Sequence, residues 1–377
     1  MRLDLLLKRE DFAKTFERSF VRYLLEVFNI SATVNWGNNT KDSNFLLTNH
    51  KLNVIYSKNI DRAKLRLIVS EYAYNPNLLR RFLQKIYIKI SISNYFEHLF
   101  AKTSVSVSPW IESLDKVCIV PGNQSIRIIN LETSTCRVIL KEGFSSQFIM
   151  NEIYLRQKYK FLPIPKLINV DTQSLWYEEL QVSALPFNRI DNQTIKDKIL
   201  IDVKKNLLKL YSETTIKIDI KNYVKSLYET CDNLITKLPE IYTKFDKKEI
   251  RDVFILLNET VKNFPDRTID LAQSHGDLQL GNILVGNTNS ELYLIDWEYT
   301  EKRSIFYDSL VLAADCRKPK GLAKRIKTIL DGDDLSWNWC IKTDGFRLSK
   351  CELAIFLIED LIVRLSELKI PNLIIKG

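Results

Sequence analysis

Between Ser274 and Glu298 two short extended runs, Asn282 to Val285 and Leu292 to Ile295, are bracketed by residues that do not belong in a hydrophobic core. Runs of this length and apolarity fit buried strands. His275, Gly276 and Asp277 stand before the first run, and Asp296, Trp297 and Glu298 follow the second. The fold must therefore deliver acids and an amide to strand ends. Taken singly, His275-Gly276-Asp277 would be a polar turn and Asp296 a residue that closes a strand. Their joint order argues otherwise: Asn282 lies five residues after Asp277, and Asp296 lies fourteen after Asn282.

The rest of the chain supplies a setting for these residues. Lys116 to Val120, Ser125 to Asn130 and Cys136 to Lys141 form three extended runs separated by Pro121-Gly122-Asn123 and by Glu132 to Thr135. That pattern predicts an antiparallel meander. A short helix is expected over Gln147 to Tyr159, with two further strands over Lys166 to Asn169 and Leu175 to Glu179. From about residue 192 the apolar spacing becomes helical, over 193–211, 220–244 and 248–264, and Glu352 to Leu368 reads as a terminal helix. The first hundred residues are mixed. Phe12, Phe16, Phe20, Leu24 and Phe28 recur at helical spacing, 51–56 and 64–71 look extended, 83–100 looks helical, and the Ser-rich stretch 103–108 before Pro109 reads as a linker. The boundaries expected are 1–110 for an N-terminal extension without an assigned role, 111–182 for a strand-rich lobe and 183–377 for a mainly helical lobe.

Composition excludes more than it selects. A chain of 377 residues with 45% hydrophobic and 27% charged residues is globular and large enough for two or three structural units. Its net charge of +9 favours anionic ligands, but Lys is spread along the whole chain and no nucleic-acid motif or arginine–aromatic cluster accompanies it. The six cysteines form no C-x-x-C pair, which speaks against a zinc site or a disulfide framework and for reduced core thiols. The N-terminal apolar run is too short for a signal peptide, and no stretch approaches the ~20 apolar residues of a membrane span. A cytoplasmic location is the expectation.

Chemically, a carboxylate at Asp277 can accept a proton from an attacking hydroxyl. Asn282 and Asp296 offer the hard oxygen atoms that magnesium prefers. This set suits phosphoryl transfer.

At these residues the sequence resembles the aminoglycoside phosphotransferase and choline kinase-like family, whose catalytic loop has the form H-G-D-x-x-x-x-N and whose metal motif reads I-D-W-E or I-D-F-E. The resemblance covers about residues 115–315. It implies an α+β, protein-kinase-like bilobal fold, with a small antiparallel β lobe and a larger mainly helical lobe, here carrying an extra N-terminal region. It further implies that Asp277 is the catalytic aspartate, that His275 braces the loop, and that Asn282 and Asp296 bind the magnesium of ATP. Asp308, in Phe306-Tyr307-Asp308-Ser309-Leu310, resembles the family's structural aspartate.

Upstream, Arg137-Val138-Ile139-Leu140-Lys141 resembles the strand whose terminal lysine holds nucleotide phosphates. Such a lysine is a compact charge with three donors, and Glu152 on the following helix is the carboxylate expected to fix it. Gly122 and Ser125, in the turn between the first two strands of the meander, occupy the place of a phosphate-covering loop, although one glycine makes it equally a plain hairpin. Glu179, Leu180 and Val182 lie where the lobes would join and the adenine edge would be met. The implied activity is ATP- and magnesium-dependent transfer of the γ-phosphoryl group to a hydroxyl of a small molecule or glycan. Residues 296–298 are not followed by an A-P-E activation segment, which argues against a protein acceptor. A catalytically silent regulatory module on the same fold is the alternative, opposed by the intact Lys141, Asp277, Asn282 and Asp296.

Overall fold

Phe12, Phe16, Phe20 and Leu24 are spaced by four, so a helix places them on one face. After the short α1 (Leu3–Arg9), α2 (Phe12–Phe28) does this, and all four side chains are fully buried. The helix stops where Asn29 adopts a left-handed φ of 54° and returns its N–H to the last turn. These elements belong to a computed structural model that describes residues 3–37, 44–73, 77–238, 244–262, 268–287, 290–318, 320–332 and 349–367. Two compact units divide the chain, residues 1–153 with 165–183, and residues 154–164 with 184–377.

The first unit is built on one antiparallel sheet. Its strands are β1 (Thr33–Gly37), β2 (Phe45–Asn49), β3 (Val54–Ser57), β4 (Thr103–Ser108), β5 (Val117–Pro121), β6 (Ser125–Asn130), β7 (Thr135–Leu140), β8 (Leu167–Asp171) and β9 (Trp176–Leu180). Their order is β1-β4-β2-β3-β5-β6-β7-β9-β8. The expected meander is therefore present as β5 to β7, with Ile119 opposite Ile128 and Ile126 opposite Ile139. Alternation sends successive side chains to opposite faces. Val117, Ile119, Ile126 and Ile139 pack with the α2 stripe, whereas Cys118, Ile129, Cys136 and Val138 face a second cluster with Ile149 and Ile153. The latter two lie on α6 (Gln147–Lys158), the helix expected there.

The sequence expectations for the N-terminal part need correction. Residues 64–71 are not extended: α3 (Arg62–Val69) forms because Asp61 caps it, accepting from the N–H groups of Ala63 and Lys64. Residues 103–108 are no linker either. Val105 and Val107 alternate inward from the serines, giving β4, which pairs with both β1 and β2. The helix expected over 83–100 is split into α4 (Leu78–Ser91) and α5 (Glu97–Phe100). Across residue 110 the sheet is continuous, since β3 pairs with β5 through Ile55–Ile119 and Tyr56–Cys118.

The second unit is mainly helical: β10 (Ala184–Pro186), α7 (Gln193–Thr214), β11 (Ile216–Asp219), α8 (Ile220–Thr236), α9 (Lys244–Lys262), β12 (Thr268–Ser274), β13 (Ile283–Gly286), β14 (Leu292–Leu294), β15 (Glu301–Ser304), α10 (Tyr307–Ala313), α11 (Leu322–Asp331) and α12 (Lys350–Glu367). Two three-stranded antiparallel sheets, β10-β13-β14 and β11-β12-β15, sit among these helices. Buried Glu359 on α12 joins three elements, accepting from Tyr223 Oη on α8 at 2.5 Å and from Ser304 N and Oγ at the end of β15 at 2.7 and 2.6 Å. Cys118, Cys136, Cys231, Cys316 and Cys351 are free, buried thiols, and Cys340 lies outside the described residues. The fold is α+β, with a strand-rich first unit and a mainly helical second unit.

Candidate active site

Strand β12 ends at Ser274 and hands the chain to His275-Gly276-Asp277. Gly276 has a φ of +87°, and a Cβ there would lie 2.2 Å from the Tyr299 carbonyl oxygen, so no other residue fits. Asp308, in the first turn of α10, fastens this turn from below. Its Oδ2 accepts from His275 N at 2.7 Å and from Tyr211 Oη at 2.9 Å, and its Oδ1 accepts from Gly276 N at 3.1 Å. The aspartate is completely buried, as suits an architectural role.

His275 is a brace of a different kind. Its ring packs on Trp297 with centroids 4.3 Å apart, Nδ1 accepts from Asp277 N at 3.3 Å, and Nε2 lies 2.9 Å from the Ile295 carbonyl. The set is consistent with the tautomer protonated at Nε2. One imidazole thereby connects the loop of Asp277 to the segment that carries Asp296. A second tie runs from Ile295 N to Asn282 O at 3.0 Å.

Asp277 is nine-tenths buried, and its carboxylate receives three side-chain donors. Arg317 Nε donates to Oδ1 at 2.5 Å, while Gln279 Nε2 and Asn282 Nδ2 donate to Oδ2 at 2.9 and 3.2 Å. Burial pushes the Asp277 carboxyl above the ordinary carboxylate range, the Arg317 guanidinium pulls it back, and the charge on Asp296 adds to the rise. The net shift is upward. A carboxyl so poised is a better proton acceptor than a solvent-exposed aspartate.

Asn282 also donates Nδ2 to the Asp277 carbonyl at 2.9 Å. With the amide nitrogen committed, its Oδ1 is the atom suited to a hard cation. Asp296 is half-buried and held at a left-handed φ of 63°, a conformation uncommon for a non-glycine residue. Together they fit magnesium chemistry, which needs few protein oxygens when phosphates and water complete the shell. Among the described residues no group of three or more His, Cys, Asp and Glu side chains could hold an ion alone.

The first unit holds the other predicted residues. Lys141 follows β7 and is completely buried, donating Nζ to Glu10 Oε1 at 2.7 Å and to the Asn123 carbonyl at 2.8 Å. The rings of Phe12 and Phe144 lie 5.0 and 5.1 Å from the ammonium. Glu152 is buried on α6. Gly122 and Ser125 form a tight hairpin, with Gly122 N donating to Ser125 O at 2.9 Å, and Lys141 holds that turn through Asn123. Glu179 is buried and paired with Arg127 at 2.9 Å. Leu180 N donates to Lys166 O and Gln181 N to Ser134 O, both at 2.9 Å, while Leu180 is exposed and Val182 half-buried. Two charged partners, Glu10 on Lys141 and Arg317 on Asp277, have no place in any motif of the sequence.

The strand-end lysine of the first unit and the braced H-G-D loop of the second are followed by a match that makes the chain a kinase, a phosphotransferase with an alcohol group as acceptor. Residues 158–309 match the model of the Choline/ethanolamine kinase family. No curated protein matches the chain. Among solved structures, choline kinase LicA from Streptococcus pneumoniae aligns at 17% identity over 66% of this chain and 82% of its own, with a TM-score of 0.44. Aminoglycoside phosphotransferase APH(3'')-Id from Streptomyces rimosus aligns at 12% identity over 65% and 92%, with a TM-score of 0.42. An ethanolamine kinase from Plasmodium vivax aligns at 15% identity over 80% and 86%, with a TM-score of 0.40.

Proposed function

We propose that the chain transfers the γ-phosphoryl group of ATP, in a magnesium-dependent reaction, to a hydroxyl of a small molecule or glycan in the cytoplasm. The observation that carries this is the buried Asp277 carboxylate, raised in pKa and fixed by Gln279, Asn282 and Arg317 on a loop that Asp308 and His275 hold rigid. Asp277 orients the acceptor hydroxyl and takes its proton as the new P–O bond forms. Asn282 and Asp296 would hold the magnesium, which when bound neutralises charge on the phosphates. Lys141, at the end of β7, is the residue suited to supply a fixed positive charge to nucleotide phosphates.

Arg317 narrows the acceptor. A guanidinium 2.5 Å from Asp277 Oδ1 stands where the acceptor hydroxyl must arrive. A cationic amino alcohol would bring like charge against it, whereas a neutral polyol or an acidic sugar would not. The test is turnover of labelled ATP by the purified chain across neutral, acidic and cationic alcohols. Phosphorylation of a neutral or acidic acceptor supports the reading, and exclusive use of quaternary ammonium alcohols contradicts the role given to Arg317.

The same two ion pairs favour a second reading, a silent nucleotide-binding module, because Arg317 occupies Asp277 and Glu10 occupies Lys141. Nucleotide-dependent thermal stabilisation without turnover over the whole panel would select it.

A further inference from the structure

Helix α4 turns its apolar side away from the protein. Leu78, Phe82, Ile86 and Ile90 follow one another at a spacing of four, flanked by Leu79 and Leu83, and all six are exposed, Leu78 by 75% and Phe82 by 60%. The opposite side of the helix, with Ile88 and Ser91, supplies its contact with the core. The stripe does not end with the helix. Tyr95, Phe96 and Leu99 in the next turn and α5 are exposed by 84%, 50% and 68%. A monomeric soluble surface scatters such side chains singly, and a run of nine in one segment marks a binding face.

The charges around the stripe name its partner. Arg81, Lys85 and Lys89 run along one border at the same spacing of four, and Arg80 stands on the other. From residue 72 to residue 96 there is no Asp or Glu at all. At ~1.5 Å per residue the fourteen residues of α4 make a rod of about 21 Å, long enough to lie in a bilayer interface. Among the described residues no helix is long and apolar enough to cross a membrane. An exposed apolar stripe bordered by Lys and Arg, with aromatic residues at its end, is the composition of a helix that lies in the headgroup region of an anionic bilayer. The other side of the α5 segment adds to this. Asn94, Glu97 and His98 line a cavity of about 430 Å³ together with Lys58 and Lys102, so two lysines stand beside one acid past the end of the helix.

We infer that α4 and the turn after it dock the protein on an anionic membrane surface, with Leu78, Leu79, Phe82, Leu83, Ile86 and Ile90 inserted among the acyl chains. The inference does not depend on the catalytic reading, since every residue in it lies in the first unit and none belongs to the candidate active site.

Flotation of the full chain with vesicles tests it. With mixed phosphatidylglycerol–phosphatidylcholine vesicles the protein should float, and with pure phosphatidylcholine vesicles it should remain largely unbound. Phe82→Ser with Leu83→Ser should abolish flotation. Arg81→Gln with Lys85→Gln should weaken it about tenfold or more. Both double variants alter exposed or half-buried side chains and should melt with the wild type, which separates lost docking from lost folding. Failure of the wild type to bind anionic vesicles overturns the inference, as does flotation of the Phe82/Leu83 variant at the wild-type level. A wild type that self-associates through this face and binds no vesicle overturns it too, in favour of a second copy of the chain.

Discussion

At the scale of single residues, Asp277 and Asp296 separate chemistry from nucleotide binding. Asp277→Asn keeps the shape of the side chain but gives up the charge paired with Arg317 and one acceptor oxygen, so the variant should fold with a lowered melting temperature and still bind magnesium–ATP. Its turnover should fall by ~10²- to 10⁴-fold, the usual cost of a missing general base. Asp296→Asn should instead damage affinity and turnover together, because a metal ligand acts on the bound nucleotide itself. Near-normal turnover in Asp277→Asn would remove its catalytic role. Arg317 gives a pH test whose sign is fixed. The base works when ionised, and burial raises its pKa, so activity should climb with pH through a limb displaced above the range of an ordinary aspartate. Arg317 is the main influence that lowers this pKa, and Arg317→Gln should move the limb further up. A pH–rate profile of kcat/KM decides it, and a limb that moves down would exclude the ion pair as the cause. Sequence reading missed Arg317 because it stands forty residues beyond Asp277, past every motif, on a turn that only the fold returns to the loop.

At the scale of elements, the legible parts were those whose signals are local. The β5–β6–β7 meander and helix α7 follow their hydrophobic periods closely, and the H-G-D loop with its Asn and Asp is contiguous in the chain. Elsewhere a local signal was outweighed. Lys-Leu-Arg-Leu in 64–67 invites a strand reading only until the Asp61 cap is counted, and the serines of β4 hide two inward valines. Glu10 could not be foreseen, since it reaches Lys141 across 131 residues of sequence from the short connection between α1 and α2. That pair makes a prediction for the element it tethers. Removing one member of a buried ion pair commonly costs about 3–5 kcal/mol, because the other charge remains buried. Lys141→Met and Glu10→Gln should each lower the melting temperature markedly, and the double variant should lose less than the sum of the two. Additive losses would mean that the 2.7 Å contact carries no coupling. For catalysis, Lys141→Ala should impair ATP use more than Glu152→Ala, because a phosphate-binding charge matters more than a group that positions it; reversed severity would end that assignment.

At the scale of the whole molecule, the proposed nucleotide-binding residues fall in different units, Lys141 in the first and Asn282 and Asp296 in the second. This division was legible because each half of the pattern sits at the end of its own apolar strand, whereas the fusion of residues 1–110 into the first unit's sheet depends on long-range pairing through β3 and β5 that no local signal announces. It has a thermodynamic consequence. On the proposed reading Asn282 and Asp296 supply one amide and one carboxylate oxygen for a cation, and among the described residues there is no group of three or more His, Cys, Asp and Glu side chains that could hold one. A hard divalent ion held by so few protein oxygens keeps most of its water until phosphate oxygens replace it. Magnesium and ATP should therefore bind as one ligand, each weak alone and each strengthened by the other, a reciprocity that linkage requires. Titration calorimetry with ATP in chelator, with magnesium alone and with the two together measures this directly. The combined titration should show the tightest binding, and Asp296→Asn should reduce it toward the chelator value. Equal affinity for ATP with and without magnesium would mean that Asn282 and Asp296 do not form the metal site.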